Sequence, residues 1–168
     1  AVDDYYYDLD MQPVQWFGYY GIHRDYDGNG WNNRITYLGR NGQPVLCSSG
    51  YAINEYKRDE EGNVTGEFYL DTQGNPTKSS LGEYGQLYER DENGRINQIT
   101  YLDSDGNTET NSAGYTILKR TYYRDGNIDT DMYFDKAGNP VALSKGQYGI
   151  KYSGKTTLLM DKNGNVML

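Results

Sequence analysis

The sequence predicts an all-β protein: a tandem β-hairpin repeat array, drawn out as an elongated solenoid or meander. Three observations predict it. Tyrosine and glycine recur every 32 residues, as Tyr37, Tyr69, Tyr101 and Tyr133 in one register and Gly18, Gly50, Gly82, Gly114 and Gly146 in another. Turn signatures of the form Asp-x-x-Gly punctuate the repeats. The segments between turns alternate with period two and show no 3.6-residue apolar stripe. Units repeating at such a period bury their apolar faces only against their neighbours.

About five units account for the 168 residues as a single repeat domain, with approximate bounds 1–33, 34–65, 66–97, 98–129 and 130–168. The turn glycines Gly30, Gly42, Gly62, Gly74, Gly94, Gly106, Gly126 and Gly138 alternate 12 and 20 residues apart, which implies two turns per unit. Asp27, Asp59, Asp71, Asp91, Asp103, Asp135 and Asp161 open Asp-x-x-Gly turns. Aspartate at the first position bonds the backbone ahead of it, and glycine at the fourth accepts positive φ, the pattern of a three-residue hairpin loop with a G1 bulge. Pro44, Pro76 and Pro140 follow the second turn, where they end ladder pairing.

In the strand INQITYLD, Ile96, Thr100 and Leu102 share one face while Ile99 and Tyr101 share the other. Leu38, Leu70, Leu102 and Phe134 follow the anchor tyrosines and form a repeated core position. The ends depart from the pattern, as caps do. Met11 stands where a turn glycine is expected, and Gly138 and Gly164 are 26 residues apart.

Composition narrows the function classes. The chain has 19 tyrosines and 21 glycines against three phenylalanines, so tyrosine must supply much of the apolar surface. A net charge of −8 disfavours nucleic acid and anionic membrane surfaces, which need clustered cations. No apolar run is long enough for a membrane span, and the N-terminal AVDDYYYDLD lacks the basic and apolar regions of a secretion signal. Cys47 is the only cysteine, so no internal disulfide is expected. His23, the only histidine, is expected to be an ordinary surface or packing residue.

Residues 149–156, GIKYSGKT, match the phosphate-loop pattern G-x-x-x-x-G-K-[ST]. That chemistry needs a helix beginning at Lys-Thr. Here Gly149 repeats Gly21 and Gly85 at spacings of 64, and the Ser-Gly-Lys is expected to be a hairpin turn between YGIKY and TTLLMD. Asp25, Asp27, Asn29 and Gly30 imitate the first half of a calcium loop, but its twelfth position is Thr36 rather than a bidentate glutamate. No carboxylate stands outside the turn pattern in an apolar setting that would raise its pKa for catalysis. The expectation is a non-enzyme with no catalytic residues, no cofactor and no metal.

The aromatic residues remain. Trp16, Trp31, the anchors Tyr37, Tyr69, Tyr101 and Tyr133, and the post-glycine tyrosines Tyr20, Tyr51, Tyr84, Tyr115 and Tyr148 are the candidate ligand-binding set, as flat platforms for sugar rings. The competing reading makes the same tyrosines the core of a structural spacer or a protein-docking repeat.

The unit Y-L-D-x-x-G-N-P…G-Y…Y-x-R-D-x-x-G-N resembles the Tyr/Asp/Gly-rich tandem repeats of bacterial surface proteins. It is similar to the YD repeats of RHS-type proteins and to the cell-wall-binding repeats of choline- and glucan-binding proteins. Similar repeats are appended to bacterial glycosyltransferases and teichoic-acid-type polymerases. The resemblance implies a non-catalytic bacterial module handling a glycan or cell-envelope polymer, attached to a parent enzyme or protein partner. It implies a location at the cell surface, in the secreted fraction or on the cytoplasmic face of the envelope. Choline-binding repeats pair tryptophans in each unit, whereas this chain has only Trp16 and Trp31.

Overall fold

A computed structural model describes residues 1–168. No helix forms. The strands are β1 (Val2–Tyr5), β2 (Gly21–Tyr26), β3 (Asn32–Leu38), β4 (Ile53–Arg58), β5 (Val64–Leu70), β6 (Gly85–Arg90), β7 (Ile96–Leu102), β8 (Ile117–Tyr122), β9 (Ile128–Phe134), β10 (Gly149–Ser153) and β11 (Thr156–Met160). They form one open antiparallel sheet in sequence order, the meander of successive hairpins that the repeat predicts. Contacts divide the chain into two compact bodies, Ala1–Gln86 with Ser104–Gly106 and Leu87–Asp103 with Asn107–Leu168.

The hairpin β4–β5 shows how sequence makes the unit. At its turn the Asp59 amide donates to the Asn63 carbonyl (3.1 Å), and the Gly62 amide donates to the Asp59 carbonyl (3.1 Å). The Asp59 carboxylate accepts the Asn63 amide (2.8 Å), so the side chain ties the loop that its own backbone begins. One residue further on, Thr65 lies unpaired between Lys57↔Gly66 and Arg58↔Val64. The equivalent extra residues are Asn33 in β3 and Asp129 in β9. Such bulges bend the strand and re-aim side chains, and the re-aimed Asp129 bonds Lys151 at 2.6 Å.

The second half of each unit differs from the expectation. It holds a further turn, so the three central units each have three turns rather than two. Gly50, Gly82, Gly114 and Gly146 donate to the carbonyls of Cys47, Ser79, Asn111 and Leu143. These glycines all carry positive φ, like those of the Asp-x-x-Gly turns. The extra turn was hidden because aspartate is absent from its first position.

Between the second and third turns a short return segment comes back against the strand just left. Leu38↔Pro44, Leu70↔Pro76, Leu102↔Thr108 and Phe134↔Pro140 are single bridges, and Met160↔Val166 repeats them at the end. An anchor tyrosine is therefore held from two sides. Tyr69 donates its amide to Tyr84 (2.9 Å) and accepts the Thr77 amide (3.0 Å); Tyr133 does the same with Tyr148 (2.9 Å) and Val141 (3.0 Å).

The cores lie where sheet and return segments meet. In the first body Ala52, Ile53 and Leu70 are buried against Phe68. In the second, Tyr101, Leu118 and Tyr133 pack with Ile99, Tyr115, Val141, Leu143 and Ile150. The expected core position holds for Leu38, Leu70 and Leu102, which are buried, while Phe134 is half-buried. Large and small residues also trade places in alternate units. Tyr51–Ala52 and Tyr115–Thr116 face Glu83–Tyr84 and Gln147–Tyr148 in the aligned repeats, and Ala52 and Thr116 are wholly buried. The true structural period is thus 64 residues.

Met11 does replace a turn glycine. Its amide donates to the Asp8 carbonyl (3.1 Å) at φ 59°, and its side chain is exposed. A non-glycine residue in this region costs about 1–2 kcal/mol, offset in part by glycine's larger chain entropy. Met11→Gly is therefore expected to stabilise the protein by about 0.5–1 kcal/mol. Thermal melting checks this, and a lowered Tm would contradict it.

Candidate ligand-binding surfaces

Three of the four anchor tyrosines are not platforms. Tyr69, Tyr101 and Tyr133 are only 3%, 5% and 6% exposed, covered by the return segments, and are corrected here to core residues. Tyr37 is half-buried and meets the rings of Tyr19 and Tyr51. Burial pushes the phenols of Tyr37, Tyr51 and Tyr133 well above the ordinary tyrosine range.

The post-glycine tyrosines divide into two groups. Tyr51 stacks on Tyr69 with centroids 4.4 Å apart and planes 12° apart, and it also meets Tyr37 at 5.8 Å. Tyr115 lies between Tyr101 (5.4 Å) and Tyr133 (4.7 Å). Their ring faces are occupied by other tyrosines, so these two form an aromatic zipper inside each body. Tyr20, Tyr84 and Tyr148 are half-buried, and the Lys78 ammonium sits 5.4 Å from the Tyr84 ring.

The two tryptophans part ways. Trp31 packs its indole against the Gly62 turn, where an added Cβ would lie 2.6 Å from the ring. Trp16 is 56% exposed and meets the exposed Phe17 edge-on at 5.3 Å. Both belong to a tight turn in which Trp16 and Tyr19 exchange backbone bonds, with Phe17 at φ 46° and Gly18 at φ 92°. Phe17 lines a groove of about 180 Å³ with Tyr19, Tyr37, Cys47, Ser48, Ser49 and Tyr51. Phe17, with Trp16 against its ring, thus borders a hollow walled by tyrosine, serine and Cys47.

The second body carries a wider groove of about 700 Å³, lined by Tyr123, Asp125, Gly126, Asn127, Ile128, Tyr152, Ser153 and Gly154. None of these was among the candidates from sequence. A signal was present: Tyr123 stands 32 residues after Asp91, where the turn pattern expects aspartate, and Asp125 takes over the capping two residues later. The Asp125 carboxylate accepts both the Asn127 amide (3.0 Å) and its side-chain NH2 (2.9 Å). Those bonds hold its carboxyl below the usual range.

The GIKYSGKT stretch forms the far wall of this groove. Gly149–Ser153 is strand β10, Ser153 pairs with Thr156, and Gly154–Lys155 make a two-residue hairpin loop leading into β11. Gly154 at φ 59° suits the first position of such a loop. No helix begins at Lys155, so the backbone cannot cradle phosphates in the manner of a P-loop. In the segment resembling half a calcium loop, the Asp27 carboxylate caps its own turn through the amides of Asn29 (2.9 Å) and Trp31 (3.0 Å), while Asp25 faces His23.

His23 lies between two carboxylates. Its Nδ1 pairs with Asp3 on β1, and its Nε2 lies 3.2 Å from Asp25. With an acceptor at each nitrogen the imidazolium is favoured, and the pKa rises above its ordinary 6.5, chiefly through the Asp3 bond. A raised folded-state pKa contributes stability that is complete below about 6.5 and is lost as pH rises through the folded value. The single histidine resonance is expected to titrate above pH 6.5 by NMR, and Asp3→Asn to bring its midpoint down. An unchanged midpoint in that variant would refute the pairing.

No family model matches the chain, and no curated protein sequence matches it. The geometry therefore defines a class on its own terms: a tyrosine-clustered meander of β-hairpin repeats. Each of its two bodies offers a groove with aromatic residues in its lining.

Proposed function

We propose that the protein is a non-catalytic bacterial repeat module that binds carbohydrate or a cell-envelope glycopolymer through exposed aromatic side chains. The observation that carries this reading is the Trp16–Phe17 pair, 56% and 65% exposed, with Phe17 lining a tyrosine-walled groove. Exposed aromatic faces beside hydroxyls and amides suit sugar rings, whose faces are apolar and whose edges bear hydroxyls. Repetition of weak sites along one chain would add avidity for a repeating polymer. The resemblance to cell-wall-binding and YD-type repeats agrees with this reading, and with a place at the bacterial surface beside a parent enzyme or protein.

The test is retention on insoluble cell-wall polysaccharide and on a glycan array. Trp16→Ala, which removes an exposed ring without touching the core, is expected to weaken retention by about tenfold, the effect of losing one stacking contact. A second reading, a structural spacer or docking repeat, draws support from the burial of Tyr69, Tyr101 and Tyr133. Concentration-dependent self-association with no glycan retained would favour it over the first.

A further inference from the structure

The groove of the second body is built more rigidly than its position between two turns requires. The Tyr123 hydroxyl donates to the Tyr152 carbonyl at 2.7 Å, which fixes the Tyr123 ring across the groove. The Tyr152 hydroxyl donates to Asp131 at 3.0 Å, and Asp131 is in turn gripped by Arg120 at 2.7 and 2.8 Å. Both aromatic walls are therefore held by their own hydroxyls before any ligand arrives, which lowers the entropy lost on binding. Gly126 and Gly154 lie at the two turns and put no side chain into the groove that they line. Its volume of about 700 Å³ lies in the range of small-molecule sites.

The charges around it select the ligand. Lys151 lies 5.5 Å from the Tyr123 centroid and bonds Asp129 at 2.6 Å, so the ring's cation contact and that carboxylate are both engaged. Asp131 is neutralised by Arg120. Asp125 is the one charged residue lining the groove, an acceptor that repels phosphate and carboxylate groups. With Asn127 and the Ser153 hydroxyl, it presents acceptors and donors at the edge of an aromatic surface.

From this geometry we infer that Tyr123, Asp125, Asn127, Tyr152 and Ser153 form a subsite for one ring of a neutral saccharide. An aromatic wall would take the sugar's apolar face, and Asp125 and Asn127 would bond neighbouring hydroxyls. This inference rests on the glycan-binding reading above and names a ligand class for a second site. Asp125 disfavours an anionic polymer such as a polyol phosphate, and the Lys151 ammonium already beside the Tyr123 ring disfavours a quaternary ammonium there.

The test is an amide-resonance titration of the isotope-labelled full chain with three probes: a neutral glucan or N-acetylhexosamine oligomer, a glycerol phosphate oligomer, and choline. Saturable shifts at Gly126, Asn127, Ile128 and Gly154 with the neutral oligomer alone are expected. Asp125→Asn, which keeps the turn's acceptor, is expected to weaken that binding by about tenfold, as for a hydrogen bond to a charged group. Shifts around Trp16 and Phe17 with none at the groove would overturn this inference and leave the glycan-binding reading standing. Groove shifts with choline or with the phosphate oligomer instead would overturn the ligand class. No response to any saccharide would overturn both.

Discussion

Replacing Arg120 by leucine is expected to destabilise the protein by about 3 kcal/mol, the lower end for breaking a buried ion pair. Arg120 on β8 and Asp131 on β9 face each other across the ladder and form a two-pronged pair at 2.7 and 2.8 Å. The Asp131 side chain is 4% exposed and that of Arg120 22% exposed, so water screens the carboxylate poorly. Without the guanidinium, Asp131 would keep only the Tyr152 hydroxyl as a side-chain partner. A lone buried carboxylate is costly, whereas two leucines at these positions would leave no charge to satisfy. The double variant Arg120→Leu/Asp131→Leu is therefore expected to recover most of the loss. Urea denaturation checks both. A single-variant loss below about 1 kcal/mol would mean that the pair behaves as a surface bridge. Because Asp131 also orients Tyr152, the same substitution should loosen one wall of the Tyr123–Tyr152 groove.

Gly149→Ala is expected to cost about 2 kcal/mol through overpacking. Gly149 opens β10 opposite Met132, and a Cβ there would lie 2.5 Å from the Asp131 carbonyl oxygen as well as striking the Met132 sulfur. The thioether can swing away, but the carbonyl belongs to the ladder of β9 and cannot. Gly21 and Gly85 stand in the same relation to the carbonyls of Asp4 (2.6 Å) and Glu67 (2.5 Å). Gly28→Ala is the control: φ is not positive there and no atom lies within 4 Å, so a change within about 0.5 kcal/mol is expected. Equal melting temperatures for the two alanine variants would refute the close-approach argument.

Gly21, Gly85 and Gly149 show how far the sequence could be read. The spacing of 64 between Gly21, Gly85 and Gly149 was visible, and it removed Gly149 from a phosphate loop. Its reason was not visible, because the atoms a Cβ would strike belong to a neighbouring strand. Likewise the Asp-x-x-Gly turns were legible because their aspartates act on amides two and four residues ahead, a local interaction. The third turn, begun by Cys47, Ser79, Asn111 or Leu143, carries no shared first residue and went unread. The Tyr123–Tyr152 groove joins residues 29 apart. Its one local trace was a tyrosine standing where the pattern wanted aspartate.

By itself the sequence determined the 32-residue spacing, the Asp-x-x-Gly turns, the alternation of faces and the absence of helix, all of which follow from steric and hydrogen-bonding preferences acting within a few residues. Only the tertiary structure decided which tyrosines are core and which meet solvent. The return segments cover Tyr69, Tyr101 and Tyr133, neighbouring rings occupy the faces of Tyr51 and Tyr115, and Trp16 is left exposed. A tyrosine's composition and spacing are the same in either setting. Its exposure depends on what the chain folds over it, and that is a property of contacts between units.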